Sequence, residues 1–365
     1  MASEGHPDGS QHRQAGSCVL FQSPDQSIVL IDVPRSIEEA QVLPGQAVRR
    51  RLISSSPIDT PWETPEPRKS GAPAHLTSPS AAVAELMTLE SARAALRRAR
   101  LNYRGPWCLP RVINGTGKLP DGDDGEPHQE ESRKRKRPVS PATDAVSAAV
   151  PPLIPDQSRY LLGSVRSQRE AFLADAPAFD LVVLDPPWPS RSVKRKQNSY
   201  ATAYGVREAG DLLAQIPVAS RLKPEGLVAV WVTNKTAVAD LLTSPGGIFS
   251  RWDVESVGEW VWLKITRTGD PIVDLEAQWR KPWERLLLAR RKNHLPKAPI
   301  PTKVILAVPD VHSRKPNLRL LFKDILPENY NGLEVFARNL TAGWWSWGDE
   351  VLRFQQQHHW VEAIG

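Results

Sequence analysis

Cysteine is scarce in this chain: only 2 of its 365 residues are cysteines, Cys18 and Cys108. Two cysteines this far apart form neither the close spacing of a metal site nor a disulfide framework, which favours a reducing intracellular compartment. Long apolar runs are also missing, because no segment approaches the ~18 consecutive apolar residues of a membrane span. Residues 1–14 are polar and lack the apolar core of a secretion signal. We therefore expect a soluble protein with no membrane partner and no metal site.

Proline and positive charge, by contrast, are abundant. The 34 prolines among 365 residues are nearly twice the usual share of about 5%, which indicates long irregular stretches. The formal net charge is +6, and an excess of positive charge suits a polyanionic partner such as nucleic acid. Hydrophobic residues make up 40% of the chain, enough for a core in one or two domains.

The amino-terminal part of the chain is predicted to be an accessory region over residues 17–114. Apolar residues 18–21 and 28–31 flank a turn rich in serine, proline and aspartate, which predicts a β-hairpin. Residues 49–80 are rich in Pro, Ser and Thr and are interpreted as a loop or linker. Residues 81–100 are rich in Ala and Leu and end in arginines, which predicts a helix with cations at the negative end of its dipole.

Two segments are predicted to be disordered, residues 1–16 and residues 115–152. The second begins with acidic residues and continues into the basic run Arg-Lys-Arg-Lys-Arg at 133–137. Such a run serves as a nuclear import signal or a nucleic-acid tether, and the alternative is a solvated surface run. Because the segment holds no core residues that need solubilising, we favour the signal and expect a nuclear protein.

From residue 153 to residue 365 the pattern predicts a globular domain in which strands and helices alternate. Strands are predicted at 160–162, 181–184, 227–232, 254–265, 284–289, 303–308 and 333–338. Helices are predicted at 208–222, with an interruption at Pro217, at 235–243 and at 316–326. Strands alternating with helices imply βαβ units and a mostly parallel sheet.

The most informative stretch is the apolar run 181–184 with the residues after it. Four Leu and Val residues predict a strand buried on both faces, which Pro186 and Pro187 end because neither can donate to a sheet. The strand thus delivers Asp185 to the carboxyl edge, where open α/β sheets bind ligands. A carboxylate, a rigid carbonyl and the indole of Trp188 together suit a planar ligand with an amino group. The alternative is a buried strand followed by a proline turn.

The sequence Asp185-Pro186-Pro187-Trp188, followed by a basic loop, resembles the MT-A70 family of adenine N(6)-methyltransferases. It is most similar to the branch called methyltransferase-like four. Further blocks match in order: WVTN at 231–234, EWVWLKI at 259–265, KPWE at 281–284, HSRKP at 312–316, EVFARNL at 334–340 and GWWSWG at 343–348. The resemblance covers roughly residues 153–356.

This resemblance implies a Rossmann-like class I methyltransferase fold that uses S-adenosylmethionine, with a partly ordered amino-terminal region beside it. The motif order is circularly permuted, so the catalytic strand precedes the main cofactor-binding segments. A glycine-rich loop is therefore not expected before Asp185, and the sequence has none there.

Carried over residue by residue, the resemblance assigns catalysis to Asp185, Pro186, Pro187 and Trp188. Asp185 and the Pro186 carbonyl accept the two hydrogens of the adenine amino group, which stabilises the positive charge that develops on the nitrogen. Trp188 stacks on the base or forms a wall of its pocket. The alternative interpretation is that Trp188 is a core residue.

The resemblance also implies a set of cofactor-binding residues, of which two depart from the family pattern. The set is Ser164, Asp185, Lys315, Glu334, Arg338, Asp349 and Glu350. Ser164 stands where relatives have an aspartate, and Asp349 stands where many have an amide. Glu334 and Arg338, four apart on the predicted strand 333–338, are expected to face one side. The alternatives are a solvated Lys315 and a surface ion pair for Glu334 and Arg338.

Substrate binding is assigned mainly to the basic loop after Trp188. The predicted residues are Lys194, Arg195, Lys196, Tyr200, Asn234 and Lys281. Cations interleaved with aromatic residues suit a flipped or single-stranded nucleotide, and the alternative is a solvated loop.

The sequence therefore predicts a nuclear methyltransferase that transfers a methyl group from S-adenosylmethionine to adenine N6 in nucleic acid. RNA is preferred, with 2′-O-methyladenosine in a small nuclear RNA as the expectation for the branch, and DNA is the second choice. One alternative is a catalytically weak RNA-binding or scaffold subunit. Another is methylation of a protein amide, which the basic loop disfavours. The sequence does not require an accessory subunit.

Overall fold

A computed structural model of the chain describes residues 17–63, 79–114, 150–189, 205–277, 280–292 and 299–363. The strands are β1 Val19–Gln22, β2 Ile28–Ile31, β3 Arg50–Leu52, β4 Arg159–Leu162, β5 Phe179–Leu184, β6 Leu222–Val232, β7 Val254–Lys264, β8 Trp283–Arg291, β9 Lys303–Ala307, β10 Gly332–Val335, β11 Trp345–Gly348 and β12 Trp360–Glu362. The α-helices are α1 Val33–Ala40, α2 Pro79–Asn102, α3 Val165–Asp175, α4 Val206–Leu213, α5 Val218–Arg221, α6 Thr236–Thr243 and α7 Ile248–Arg251. Of the segments predicted to be disordered, residues 1–16 and 115–149 lie outside these ranges, whereas residues 150–152 lie within them.

The centre of the molecule is a 10-stranded sheet with the order β1-β2-β9-β7-β8-β6-β5-β10-β11-β4. Its strands are parallel wherever β4, β5, β6, β10 and β11 meet, and also between β9 and its neighbours β2 and β7. The strand β8 is antiparallel to both its neighbours, as is the edge strand β1 to β2. The predicted α/β fold with a mostly parallel sheet is confirmed, and the architecture is that of a Rossmann-like fold.

Both faces of the sheet are buried, which is why its central strands are nearly continuous apolar runs. Val182 and Leu184 of β5 face a core shared with α3, α4, α6 and α7, whereas Leu181 and Val183 face the opposite core. That second core is closed by α1 and the segment after β9. Helix α2 packs over β9 and β7, and it extends the layer formed by α3, α4, α6 and α7. The alternation in β5 follows from the two-residue period of a strand.

The predicted accessory region contributes directly to this sheet. The hairpin prediction is confirmed, because β1 and β2 are antiparallel, and β2 continues into the main sheet by pairing with β9. The predicted helix is confirmed as α2. The loop assigned to residues 49–80 is wrong at residues 50–52, which form β3 against β12, a partner too distant in sequence to be foreseen locally. The predicted domain boundaries stay predictions.

Two other elements differ from the prediction near the carboxyl edge. Residues 316–326 form only the 3-10 turn Arg319–Leu321, because the Asn317 side chain accepts from the Arg319 N–H and so competes with helical bonding. The strand predicted at 333–338 ends at Val335, where Phe336 takes a positive φ of 61°. Within the described ranges, no helix is long and apolar enough to cross a membrane.

Candidate active site

The carboxyl edge of the sheet brings three predicted site residues to one cleft. Asp185 directly follows β5, and Glu334 lies on the neighbouring strand β10, in register with Val183. Lys315 reaches the same place from the segment after β9. The cleft has about 520 Å³ of empty volume, part of which is open to solvent. Its lining also includes Trp231, Ser313, Arg314, Asn317, Phe336, Arg338, Asn339, Trp344 and Phe354.

Lys315 is the centre of a chain of alternating charges. Its Nζ lies 3.2 Å from Asp185 Oδ1 and 3.1 Å from Glu284 Oε2. Lys264 Nζ lies 2.5 Å from the other oxygen of Glu284. Burial disfavours the charge of Lys315, but the carboxylates of Asp185 and Glu284 outweigh it and raise the pKa of the lysine above its usual range. Lys315 is therefore a permanent cation that holds the Asp185 carboxylate in place.

Glu284 is ionised for the same reason, in spite of its burial. Burial by itself raises the pKa of a carboxyl group, but the neighbouring Lys315 and Lys264 outweigh it and lower the pKa of Glu284 to about 2. Glu284 was not assigned a role from the sequence. The signal was present in the block Lys281-Pro282-Trp283-Glu284, but the partner lysines are far away along the chain.

Glu334 behaves in the opposite way. Burial, and then the nearby carboxylate of Asp185, raise its pKa from 4.5 to about 8. No cation of the described residues pairs with its side chain. Glu334 is therefore mostly protonated at neutral pH, and it can donate to a ligand or release its proton when a cation binds beside it.

Arg338 also lines the cleft, but it reaches the cleft from the segment after β10 and not from a strand face shared with Glu334. Because β10 ends at Val335, Arg338 does not share a strand face with Glu334, so the expectation of a common strand face is wrong. Its Nε instead donates to Glu350 at 2.9 Å, and its Nη1 donates to the Ser313 carbonyl at 3.4 Å. Two predicted cofactor residues, Arg338 and Glu350, thus pair with each other.

The turn after β5 is rigid. The Trp188 N–H donates to the Pro186 carbonyl at 2.8 Å, and the Trp188 indole N–H donates to the Trp231 carbonyl at 2.7 Å. Trp188 is only 8% exposed and packs in the core shared with α4 and α6. The contacts are those of a core residue that fixes the turn, so stacking of Trp188 on a base stays a prediction. The Pro186 carbonyl retains a second lone pair for a ligand.

The other predicted cofactor residues lie at the rim of the sheet edge. Ser164 follows β4 and caps α3, since its side chain accepts from the Ser167 N–H at 3.1 Å. Asp349 follows β11 and is exposed. Neither residue belongs to the lining of the 520 Å³ cleft, so their cofactor contacts stay predictions.

Four of the six predicted substrate residues lie outside the described residues: Lys194, Arg195, Lys196 and Tyr200.

The other two predicted substrate residues have partners inside the protein. Asn234 Nδ2 donates to the Trp283 carbonyl at 2.8 Å, and Lys281 pairs with Glu85 of α2 at 2.6 Å. Both stabilise the strand that carries Glu284, and their contact with substrate stays a prediction.

The cleft combines charges of both signs with unsatisfied donors. Asp185 and Glu334 offer carboxyl groups, Lys315 and Arg338 offer cations, and the buried Arg314 has two guanidinium nitrogens without a hydrogen-bond partner among the described residues. Such a lining suits a ligand that carries both an ammonium group and a carboxylate, as S-adenosylmethionine does. In the described part of the chain, no cluster of His, Cys, Asp and Glu is arranged to hold a metal ion.

Comparison with known proteins shows that the chain is similar to adenine methyltransferases that act on nucleic acid. The family model MT-A70 matches residues 179–350, which contain Asp185, Lys315, Glu334 and Arg338. The chain is 48% identical to the "N6-methyladenosine RNA methyltransferase MTA1" of Cryphonectria parasitica, over 98% of this chain and 97% of that protein. It is 44% identical to the protein of the same name from Pyricularia oryzae, over 95% and 97% of the two chains. It is 37% identical to human "N(6)-adenine-specific methyltransferase METTL4", over 57% of this chain and 45% of that protein.

Proposed function

This chain belongs to the MT-A70 family of methyltransferases, and from that premise we propose that it transfers a methyl group from S-adenosylmethionine to N6 of adenine in RNA. The observation that carries the proposal is the position of Asp185. It lies at the end of a buried strand, on a rigid Pro-Pro turn, in a cleft that offers both acids and cations.

Asp185 and the Pro186 carbonyl present two acceptors from one stiff turn. The amino nitrogen of adenine is a weak nucleophile because its lone pair is delocalised into the ring. Hydrogen bonds to both of its hydrogens favour a pyramidal nitrogen and stabilise the charge that develops as the nitrogen attacks the methyl group. Rigid placement of both partners supplies much of the remaining acceleration.

The charged residues of the cleft fit the cofactor, which supplies an electrophilic methyl group on its sulfonium when bound. Lys315 would hold its carboxylate, and Asp185 and Glu334 would lie near its ammonium group. Arg338 and Glu350 would contact its ribose, with Ser164 and Asp349 farther along the same edge. Glu334 is suited to this role because a bound cation favours its ionised form.

RNA is the preferred substrate because two relatives that match nearly the whole chain are named RNA methyltransferases. The finer proposal is that 2′-O-methyladenosine in a small nuclear RNA is the target, by resemblance to the methyltransferase-like four branch. DNA adenine is the second candidate. The loop with Lys194, Arg195, Lys196 and Tyr200 would hold the strand, assisted by Asn234 and Lys281.

A nuclear location is part of the same proposal. Its support is the basic run at 133–137, which suits an import signal. Nuclear import would place the enzyme in the compartment of small nuclear RNA.

The test is a direct assay of the purified full chain with labelled S-adenosylmethionine. Three oligonucleotides of one sequence should be compared: RNA with an internal adenosine, RNA with 2′-O-methyladenosine, and DNA. Label in N6-methylated adenine nucleosides, identified by mass spectrometry and absent with Asp185→Ala, supports the proposal. Cofactor binding with no transfer to any oligonucleotide would favour the scaffold alternative. Absence of cofactor binding would overturn the proposal.

A further inference from the structure

The segment that delivers Lys315 is a loop, residues 308–314, between β9 and the lysine. It contains Ser313 at a φ of 70°, a conformation that costs a non-glycine residue free energy and that surrounding contacts must stabilise. Lys315 follows directly, so the position of its Nζ beside Asp185 depends on the geometry of this loop.

The contacts that hold the loop come from the amino-terminal region. Residues 53–55 and 111–112 lie side by side there. Ile53 and Val112 form a parallel bridge, and the Ser54 N–H donates to the Val112 carbonyl at 2.8 Å. We call these two short segments the amino-terminal platform. They precede the matched family segment 179–350 and are separated from it by more than sixty residues.

Arg111 of the platform donates hydrogen bonds to the start of the loop. Its Nη2 donates to the Val308 carbonyl at 3.0 Å and to the Pro309 carbonyl at 2.8 Å. Its Nη1 donates to the Ser55 carbonyl at 3.1 Å and lies 3.6 Å from the Asp310 carboxylate. The Arg111 side chain is 1% exposed. One buried guanidinium thus joins both platform segments to the loop.

The end of the loop is held by the same platform. Arg314, next to Lys315, donates to the Ile53 carbonyl at 2.9 Å and to Asp310 at 2.7 Å. Asp310 also accepts from the Ser55 N–H at 2.9 Å. The side chains of Asp310 and Arg314 have no exposed surface. The buried carboxylate is therefore shared by two guanidinium groups, and removing either one leaves poorly compensated buried charge.

We propose that Arg111 is a positioning residue for cofactor binding, and that the amino-terminal platform sets the geometry of the Lys315 loop. The inference rests on the proposed role of Lys315 in binding S-adenosylmethionine. It goes beyond that role, since it makes the cofactor site of this protein dependent on residues outside the matched family segment. A chain without the platform would keep Asp185, Lys315 and Glu334, but its affinity for the cofactor would be low because the loop before Lys315 would lose its supporting contacts.

The test compares Arg111→Met and Arg111→Lys with Arg291→Met in the full chain. Arg291 serves as the control because, like Arg111, it donates to backbone carbonyls, in its case those of Leu222 and Ala219, at the opposite edge of the sheet. Three quantities are measured for each variant: the Kd for S-adenosylmethionine, the separate kcat and KM, and hydrogen exchange of the backbone over 308–315.

Arg111→Met is expected to raise Kd and KM for the cofactor about tenfold or more, because small misplacements of binding groups have effects of this size. Exchange over 308–315 should rise, and kcat at saturating cofactor should stay within a few fold of wild type. Arg111→Lys should recover part of the affinity, and Arg291→Met should leave KM unchanged.

Equal KM values for wild type and Arg111→Met would overturn the inference, as would the same KM increase in Arg291→Met. If Arg111→Met does not fold, Arg111→Lys decides, since an unchanged KM there would also overturn it. Failure of the wild type to bind S-adenosylmethionine would instead overturn the proposed function.

Discussion

Lys315 Nζ lies 3.2 Å from Asp185 Oδ1, so the proposed catalytic carboxylate is already part of an ion pair before any ligand binds. The lysine has a second carboxylate partner in Glu284, at 3.1 Å. It can therefore turn toward a ligand carboxylate without leaving Glu284 uncompensated, because Lys264 pairs with that residue too. The charge chain keeps Asp185 oriented and lets Lys315 bind a ligand.

Asp185→Ala is expected to abolish methyl transfer while the fold and most of the cofactor affinity remain. Loss of an aligned polar group at the reacting atom costs on the order of a hundredfold or more in rate. Single-turnover assays with labelled cofactor measure the rate, and equilibrium binding gives the affinity. A rate within about threefold of wild type would contradict the assignment.

Glu284→Gln should destabilise the protein at neutral pH and much less in acid. The pKa of Glu284 is lowered from 4.5 to about 2 in the folded protein, so its ionised form stabilises the fold above pH 4.5. This contribution is lost as the pH falls toward 2. Denaturant unfolding at pH 7 and pH 3 measures the difference from wild type, with the exposed Glu328→Gln as control. A difference that does not shrink at pH 3 would be evidence against the buried ion pairs.

Glu334→Gln should change the free energy of unfolding with the opposite dependence on pH. The folded-state pKa of Glu334 is raised from 4.5 to about 8, so the free energy of unfolding of the wild type should fall as pH rises through this interval. The slope for one proton approaches ~1.4 kcal/mol per pH unit. The variant has no such proton, so its advantage over wild type should grow from pH 5 to pH 8. Parallel stability curves over this interval would refute the raised pKa.

Replacing Lys194, Arg195 and Lys196 together with alanine should weaken substrate binding and leave cofactor affinity unchanged. Each phosphate contact on a single strand contributes roughly 0.7 to the slope of log affinity against log salt, so up to three contacts account for roughly two units. Titrations of a labelled adenine-containing oligonucleotide across salt concentrations give the slopes. Parallel plots for wild type and variant would exclude phosphate contact by these residues.

Replacing residues 133–137 with alanine should move the protein out of the nucleus without altering activity on a short substrate. The reason is that importin-type recognition requires the clustered positive charge of the run. Imaging of a fluorescent fusion measures the location. The control exchanges every arginine of the run for lysine and the reverse, which keeps the charge. An unchanged location of the alanine variant would show that the run is not the sole signal.

Local patterns were sufficient for the elements that depend on neighbouring residues. The apolar run of β5, the hairpin of β1 and β2 and the helix α2 each follow from composition and periodicity over a few residues. The Asp185 turn was also predictable, because two prolines after a buried strand allow few other conformations. Ordered sequence blocks identified the family, and with it four residues of the cleft, Asp185, Lys315, Glu334 and Arg338.

Two elements departed from the prediction because of residues within them. The Asn317 side chain replaced a helix with a short turn, and the left-handed Phe336 ended β10 before Arg338. The first case is a side-chain hydrogen bond and the second is a backbone conformation, and each competes with the local preference. Periodicity does not report such contacts.

The sequence alone therefore specified the strand, the turn and the chemistry of the residue at its end. Only the folded chain determined which charges meet there. Asp185 follows β5, Glu284 lies on β8 and Lys315 follows β9. The loop before Lys315 is held by Arg111, which precedes Val308 by 197 residues. Strand order and register set these distances, because they bring together side chains whose separation along the sequence carries no information about their separation in space.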